Sequence, residues 1–166
     1  AGIQVKVITG DNSVTTKAIA QMAGIKNPNT AMEGEEIMKL DESSRLQSIH
    51  NSTLMTRMFP EAKLAVVEAL KKDNQVVAMM GDGVNDGPAL KASHIGIAMG
   101  KKGTEIAKAA ADLILVDDDL SKMIVAVAAG RRIYTNLKKA VQYIVSIHIP
   151  IILTVSLPLF LGWIYP

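Results

Sequence analysis

Cysteine is absent from the 166 residues, which excludes a disulfide framework and any thiolate metal site within this stretch. An excess of one charge sign is missing too. Eighteen Lys and Arg stand against 16 Asp and Glu, with three His, so the net charge points neither to nucleic acid nor to any other single class of charged partner. The N-terminal run Ala1 to Thr9 is short and strand-like, with nothing of a secretory leader in it. The most informative absence is local: from Ala140 to Pro166 there is no Lys, Arg, Asp or Glu.

That charge-free stretch exceeds the roughly 20 apolar residues that cross a bilayer core. Tyr143 to Tyr165 is therefore read as a spanning helix, with Trp163 and Tyr165 at its far end, residue types favoured at membrane interfaces. Arg131, Arg132, Lys138 and Lys139 precede it, and such an excess of positive charge keeps its side of a span in the cytoplasm. The expected organisation is a cytoplasmic portion over residues 1–135 and a stalk with its membrane helix over 136–166, in contact with lipid. The alternative is a buried helix of a soluble protein, favoured by Pro150 and Pro158, which interrupt backbone hydrogen bonding. Prolines are nevertheless tolerated where membrane helices pack against neighbours.

Before this segment, short β-rich runs alternate with helical ones, the pattern of parallel α/β layers. Strands are expected at Gln4–Ile8, Thr53–Met58, Gln75–Met80, Ile95–Met99 and Asp112–Val116. Helices are expected over about Val14–Ala23, within the charged stretch Glu33–Ser48, over Glu61–Lys72 behind Pro60, near Pro88, near Thr104 and from Leu120. Asn27-Pro28-Asn29 marks a break. In the helix after Pro60, Leu64, Val67 and Leu70 fall near one stripe with Val66 beside it, as burial against a sheet requires. Ligand chemistry in open α/β sheets gathers at the carboxyl ends of the strands, so the loops there are the place to look.

One such loop is Gly81-Asp82-Gly83-Val84-Asn85-Asp86-Gly87-Pro88, directly after an apolar strand and opening into a helix. Two carboxylates four residues apart, Asp82 and Asp86, with glycines allowing a tight turn, suit a hard divalent cation. Mg²⁺ is the natural candidate, since it binds through one or two carboxylates plus a phosphate. Equally, Gly-Asp-Gly and Asn-Asp are ordinary turn formers. Thr9-Gly10-Asp11 repeats the arrangement: a hydroxyl and backbone N–H groups can hold phosphoryl oxygens. Lys63, one turn into its helix, offers a positive charge for a transferring phosphoryl group, although an exposed helix lysine is the commoner case.

The order and spacing of Thr9-Gly10-Asp11, Pro60-Glu61-Ala62-Lys63, Gly81 to Asp86, Pro88-Ala89-Leu90-Lys91, Ile95 to Gly100, and Gly103-Thr104-Glu105 with Asp117-Asp118 resemble the P-type cation-transporting ATPases. These are a branch of the haloacid-dehalogenase-like phosphotransferases. The resemblance implies a partial Rossmann-like parallel sheet with flanking helices, followed by a C-terminal transmembrane helix. It implies that Asp82 ligates Mg²⁺, that Asn85 and Asp86 support the phosphorylation site, and that Lys63 contacts the phosphoryl group. Asp86 is a second candidate metal ligand, and Thr9, Gly10 and Asp11 belong to the phosphate and nucleotide side. ATP is implied as the substrate of the intact pump. Its partners are then the remainder of the pump, including a nucleotide-binding domain and other membrane helices, and no nucleic acid. Lys91 and the run Val116 to Asp119 look more like the calcium and sodium/potassium pump group than the heavy-metal or plasma-membrane proton pumps.

The departures are Met80 where Thr is common, Gly87 where Ala is common and His94 where Asp is common. In the membrane helix, calcium pumps carry Asn and, three residues later, Glu, whereas this chain has His148 and Ile151. His148 is an ionisable group at membrane depth and so a candidate for the ion pathway; a neutral hydrogen-bonded histidine is the plain alternative. Asp117 and Asp118 either join the cytoplasmic part to the stalk or begin the next helix. The family's Asp-Lys-Thr-Gly-Thr nucleophile motif does not occur in the sequence, so this polypeptide alone is expected neither to form an aspartyl-phosphate nor to transport an ion. Its sheet, lacking the nucleophile's strand, is expected to expose an edge and to self-associate. Two readings from other classes stay open: a soluble haloacid-dehalogenase-like phosphatase, and a membrane-anchored, non-enzymatic module docking on a partner.

Overall fold

The computed structural model describes residues 2–25, 27 and 30–162; Trp163, Tyr165 and the break at Pro28 and Asn29 lie outside them. Two compact units result, residues 1–118 and residues 119–166.

In the first unit β1 (Val7–Ile8) leads to α1 (Ser13–Met22), whose N-cap Asn12 accepts the N–H of Thr15 at 2.9 Å. The charged stretch expected to be helical is two helices, α2 (Gly34–Lys39) and α3 (Glu42–Asn51), preceded by a short strand β2 (Ala31–Glu33). The break falls where Leu40 turns extended and the Asp41 carboxylate accepts the N–H groups of Ser43 and Ser44 at 3.1 and 3.2 Å, starting a new helix. Hydrogen bonds from Ser43 and then Ser44 hold Asp41 well below the usual carboxylate range.

Next come β3 (Leu54–Thr56), α4 (Pro60–Lys72) with Pro60 in its first turn, and β4 (Ala78–Gly81). A 3₁₀ turn (Val84–Asp86), α5 (Gly87–Ala92), β5 (Ile95–Met99), α6 (Glu105–Ala110) and β6 (Leu113–Leu115) complete the unit.

The strands make two three-stranded sheets, β1-β3-β2 and β4-β5-β6, and every pairing is parallel. Val7 stands opposite Leu54 in the first and Gly81 opposite Ala98 in the second. Among the described residues β1 is paired on one side only, by β3, and β4 on one side only, by β5.

Each sheet has its own core. One gathers Ile37, Ile49, Met55, Met58, Ala62, Val66 and Ala69; the other gathers Val67, Met79, Ala89, Leu90, Ala98 and Ala107. Helix α4 serves both, and Ile8 borders both. That double duty shifts the buried arc of α4 from the expected one: Ala62, Val66, Val67 and Ala69 are buried, while Leu64 and Leu70 are half-buried at its margin. Met55, at the centre of the first sheet and fully buried, is the sharpest test of this packing. Met55→Ala is expected to cost about 3 kcal/mol of unfolding free energy, read as a lower urea midpoint with unchanged slope.

The second unit is dominated by α7 (Ser121–Leu161), which begins where Asp119 accepts the N–H of Ser121 at 2.9 Å. It runs unbroken across the division drawn at residues 135/136, through Pro150 and Pro158, to Gly162 at φ +66°. Its 41 residues extend about 60 Å at the α-helical rise. It is long and apolar enough to cross a membrane, and none of its side chains is buried.

Candidate functional site

Both glycine-bearing loops singled out in the sequence leave the carboxyl ends of parallel strands, Thr9 to Asp11 after β1 and Gly81 to Asp86 at the end of β4. The first loop is closed on itself. The Thr9 hydroxyl donates to Asp11 Oδ2 and accepts the Asp11 N–H, both at 3.2 Å. It is also laced to the exit of β3, because Arg57 N–H donates to the Asp11 carbonyl at 2.9 Å and Met58 N–H to the Thr9 carbonyl at 3.0 Å. Gly10 and Asp11 remain exposed.

The second loop is built around a buried ion pair. Lys63 projects from the first turn of α4, and its Nζ donates to Asp86 Oδ1 at 2.6 Å, with both side chains about nine-tenths buried. The other carboxylate oxygen of Asp86 accepts the Gly83 N–H at 3.2 Å. This packing needs a glycine at 81, where a Cβ would lie 2.5 Å from the Cβ of Asp86. Asp82, by contrast, is exposed, and so is Asn85. The backbone of Asp82 is held from the far side: its carbonyl accepts the N–H of Thr104 at 2.8 Å. Thr104 in turn caps α6, its hydroxyl accepting the Ala107 N–H at 3.2 Å.

Lys63, Asp82, Asn85 and Asp86 are thus brought together, whereas Thr9, Gly10 and Asp11 form a separate loop with no hydrogen bond to them among the described residues. The Lys63–Asp86 pairing was not visible in the sequence, because the partners lie 23 residues apart on different elements. Thr104 marked a helix and belonged to the Gly103-Thr104-Glu105 run in the sequence, but its bond to Asp82 was not visible there. His148 stands in the other unit, on α7, with Nδ1 2.8 Å from the Ile144 carbonyl of its own helix, one turn back.

No group of three or more His, Cys, Asp or Glu able to hold a metal occurs among the described residues. The described residues therefore offer no self-sufficient cation cage. One exposed carboxylate on a backbone tied at both ends does fit Mg²⁺, which keeps waters and takes the rest of its ligands from a substrate phosphate and one or two carboxylates. Asp86 has both oxygens engaged by Lys63 and Gly83, which leaves Asp82 as the open ligand.

A family model described as haloacid dehalogenase-like hydrolase matches residues 1–94, and the chain belongs to that family. Its resemblance within the family is to the P-type cation-transporting ATPases. Calcium-transporting ATPase 1 of Lactococcus lactis subsp. lactis is 41% identical over 167 residues, which take in 100% of this chain and 19% of that protein. The endoplasmic reticulum-type calcium-transporting ATPase 4 of Arabidopsis thaliana is 42% identical, over 98% of this chain and 16% of its own length. Among solved structures, a zinc-transporting PIB-type ATPase in the E2.Pi state superposes with a TM-score of 0.59 at 30% identity, covering 80% of this chain and 17% of that one. The chain thus spans about a fifth or less of the length of the curated relatives it matches.

Proposed function

We propose that this chain supplies the Mg²⁺ and phosphate loops of the phosphorylation domain in an ATP-driven cation pump, with α7 as the following membrane helix. The observation that carries the reading is the buried Lys63–Asp86 pair, whose carboxylate also accepts the N–H of Gly83, the residue next to the exposed Asp82. Phosphoryl transfer asks little covalent chemistry of a protein and much positioning and charge neutralisation. Asp82 would hold Mg²⁺, whose role when bound is to neutralise charge developing on the phosphoryl oxygens. Asp86 fixes the Lys63 ammonium on the same side, where it faces the phosphoryl group, and Asn85 supplies a neutral hydrogen-bonding group beside it. Thr9, Gly10 and Asp11 take the phosphate and nucleotide side.

The carboxylate that is phosphorylated comes from elsewhere in the intact protein, as do the nucleotide-binding domain and the other membrane helices. In this arrangement α7 spans the bilayer with its basic half, Arg131 to Lys139, on the cytoplasmic side together with the first unit. Proteins named for calcium and for zinc transport both match this chain, so the match leaves the transported ion open.

The test is incubation of the full-length protein with γ-labelled ATP. Mg²⁺-dependent label that survives acid and is released by hydroxylamine, as an acyl phosphate is, is the expected result. Release of phosphate from small phosphoesters with no labelled protein would replace this reading by the phosphatase one, and no reaction of either kind would favour a non-enzymatic module.

A further inference from the structure

We propose that Asp118 is a positioning residue for the Asp82 loop, acting through the glycine-bounded turn at residues 100–103. The inference rests on Asp82 being the Mg²⁺ ligand. Asp118 Oδ1 accepts the N–H of Lys101 and Oδ2 the N–H of Lys102, each at 2.9 Å. Two residues further on, the N–H of Thr104 donates to the carbonyl of Asp82 at 2.8 Å. A continuous set of short bonds therefore runs from the Asp118 carboxylate to the backbone of the exposed carboxylate residue.

The turn is pressed backbone against backbone at both ends, since a Cβ at Gly103 would run into the Met99 carbonyl. It begins at Gly100, where a Cβ would lie 2.7 Å from the Leu115 carbonyl, so it presses backbone against backbone with no side chain to wedge it. Leu115 accepts both the Gly100 N–H, at 2.8 Å, and the Asp118 N–H, at 3.0 Å. Asp118 itself sits at φ +57°, a conformation uncommon for a non-glycine residue and tolerated where local bonding imposes it. Hydrogen bonds from the backbone, Lys101 first, hold its carboxyl below the ordinary range, so the anion that grips the two N–H groups is the species present at neutral pH.

The neighbouring acids do other work or none. Asp119 caps α7 through Ser121, and the Asp117 carboxylate has no hydrogen-bond partner among the described residues. The pair Asp117-Asp118 thus divides: the second acid orders the site loop and the first does not.

The experiment compares Asp118→Ala, Asp118→Asn and Asp117→Asn in the full-length protein by two readouts. These are amide hydrogen exchange of peptides covering 81–86 and 100–104, and the Mg²⁺ concentration giving half-maximal phosphoenzyme. Asp118→Ala should speed exchange in both segments and raise the Mg²⁺ requirement by about tenfold, as loss of a group that orients a metal ligand does. Asp118→Asn keeps one acceptor oxygen and should fall between; it carries the same comparison if the alanine variant does not accumulate. Asp117→Asn should match wild type. Faster exchange confined to 100–104 with an unchanged Mg²⁺ requirement overturns the proposal, as does an Asp117→Asn variant indistinguishable from Asp118→Ala. Wild-type protein that takes no label would sink the pump reading instead, and the exchange of 81–86 would still decide whether Asp118 orders that loop.

Discussion

Asp82→Asn in the full-length protein is expected to slow Mg²⁺-dependent phosphoryl transfer from ATP by roughly a thousandfold, since a metal's charge stabilisation in such a transition state is worth several kcal/mol. The fold should be indifferent to the change. Asp82 is exposed, its carboxylate has no hydrogen-bond partner among the described residues, and the bond from the Thr104 N–H goes to its backbone carbonyl, which asparagine keeps. Surface substitutions of that kind shift stability by about 0.5 kcal/mol or less. Initial rates of labelling, set beside a thermal melt, separate the two effects. Labelling within about tenfold of wild type would mean that the metal is held by other carboxylates.

The second large effect belongs to the Lys63–Asp86 pair, and it is a loss of stability whichever partner is removed. Asp86→Ala leaves an ammonium in a site about nine-tenths buried and deprives the Gly83 N–H of its acceptor. Breaking a buried pair in this way costs about 3–5 kcal/mol. Lys63→Met strands the carboxylate instead, with the single Gly83 N–H for company, and should lose a similar amount. It should also slow phosphoryl transfer by about a hundredfold or more, the order found when one preorganised group facing the developing charge is deleted. Combining Lys63→Met with Asp86→Leu should recover much of the lost stability, because apolar replacement of both partners of a buried pair is often neutral. It should recover none of the activity. A double-mutant cycle by urea unfolding, run beside the labelling rates, reads both; a coupling energy below about 0.5 kcal/mol would mean the pair is not formed in solution.

What the sequence disclosed and what it withheld follow from how local each signal is. The apolar run before Gly81 and the tight loop after it announce strand, loop and helix within 15 residues or so, and the structure has them as β4, the 3₁₀ turn and α5. The α/β alternation and the parallel pairing were equally legible. Strand β2 was not, since its three residues are too few to show a period and it exists through pairing with β3. The separation of α2 from α3 carried a signal that could have been used: Asp41 followed by Ser43 and Ser44 is an N-cap with its donors in place. The stripe on α4 was legible in part: Val66 and Val67 are buried and Leu70 packs against the first core, but a helix shared by two cores has a wider buried arc, which also takes in Ala62 and Ala69.

Lys63 is the most instructive residue. Helix periodicity sees a lysine in a first turn and expects it in water. Only the fold, by bringing Asp86 from another element against it, makes burial of that charge tolerable.

The continuity of α7 has a mechanical meaning. From Ser121 to Ile149 the helix contains no proline, a stiff rod of about 43 Å at the α-helical rise, most of it ahead of the apolar stretch that begins at Tyr143. A rod of that length behaves as a lever: tilting it by about 10° about its middle carries each end sideways by about 4 Å. The first proline, Pro150, stands at the end of that rod, the place at which a swinging arm is free to bend.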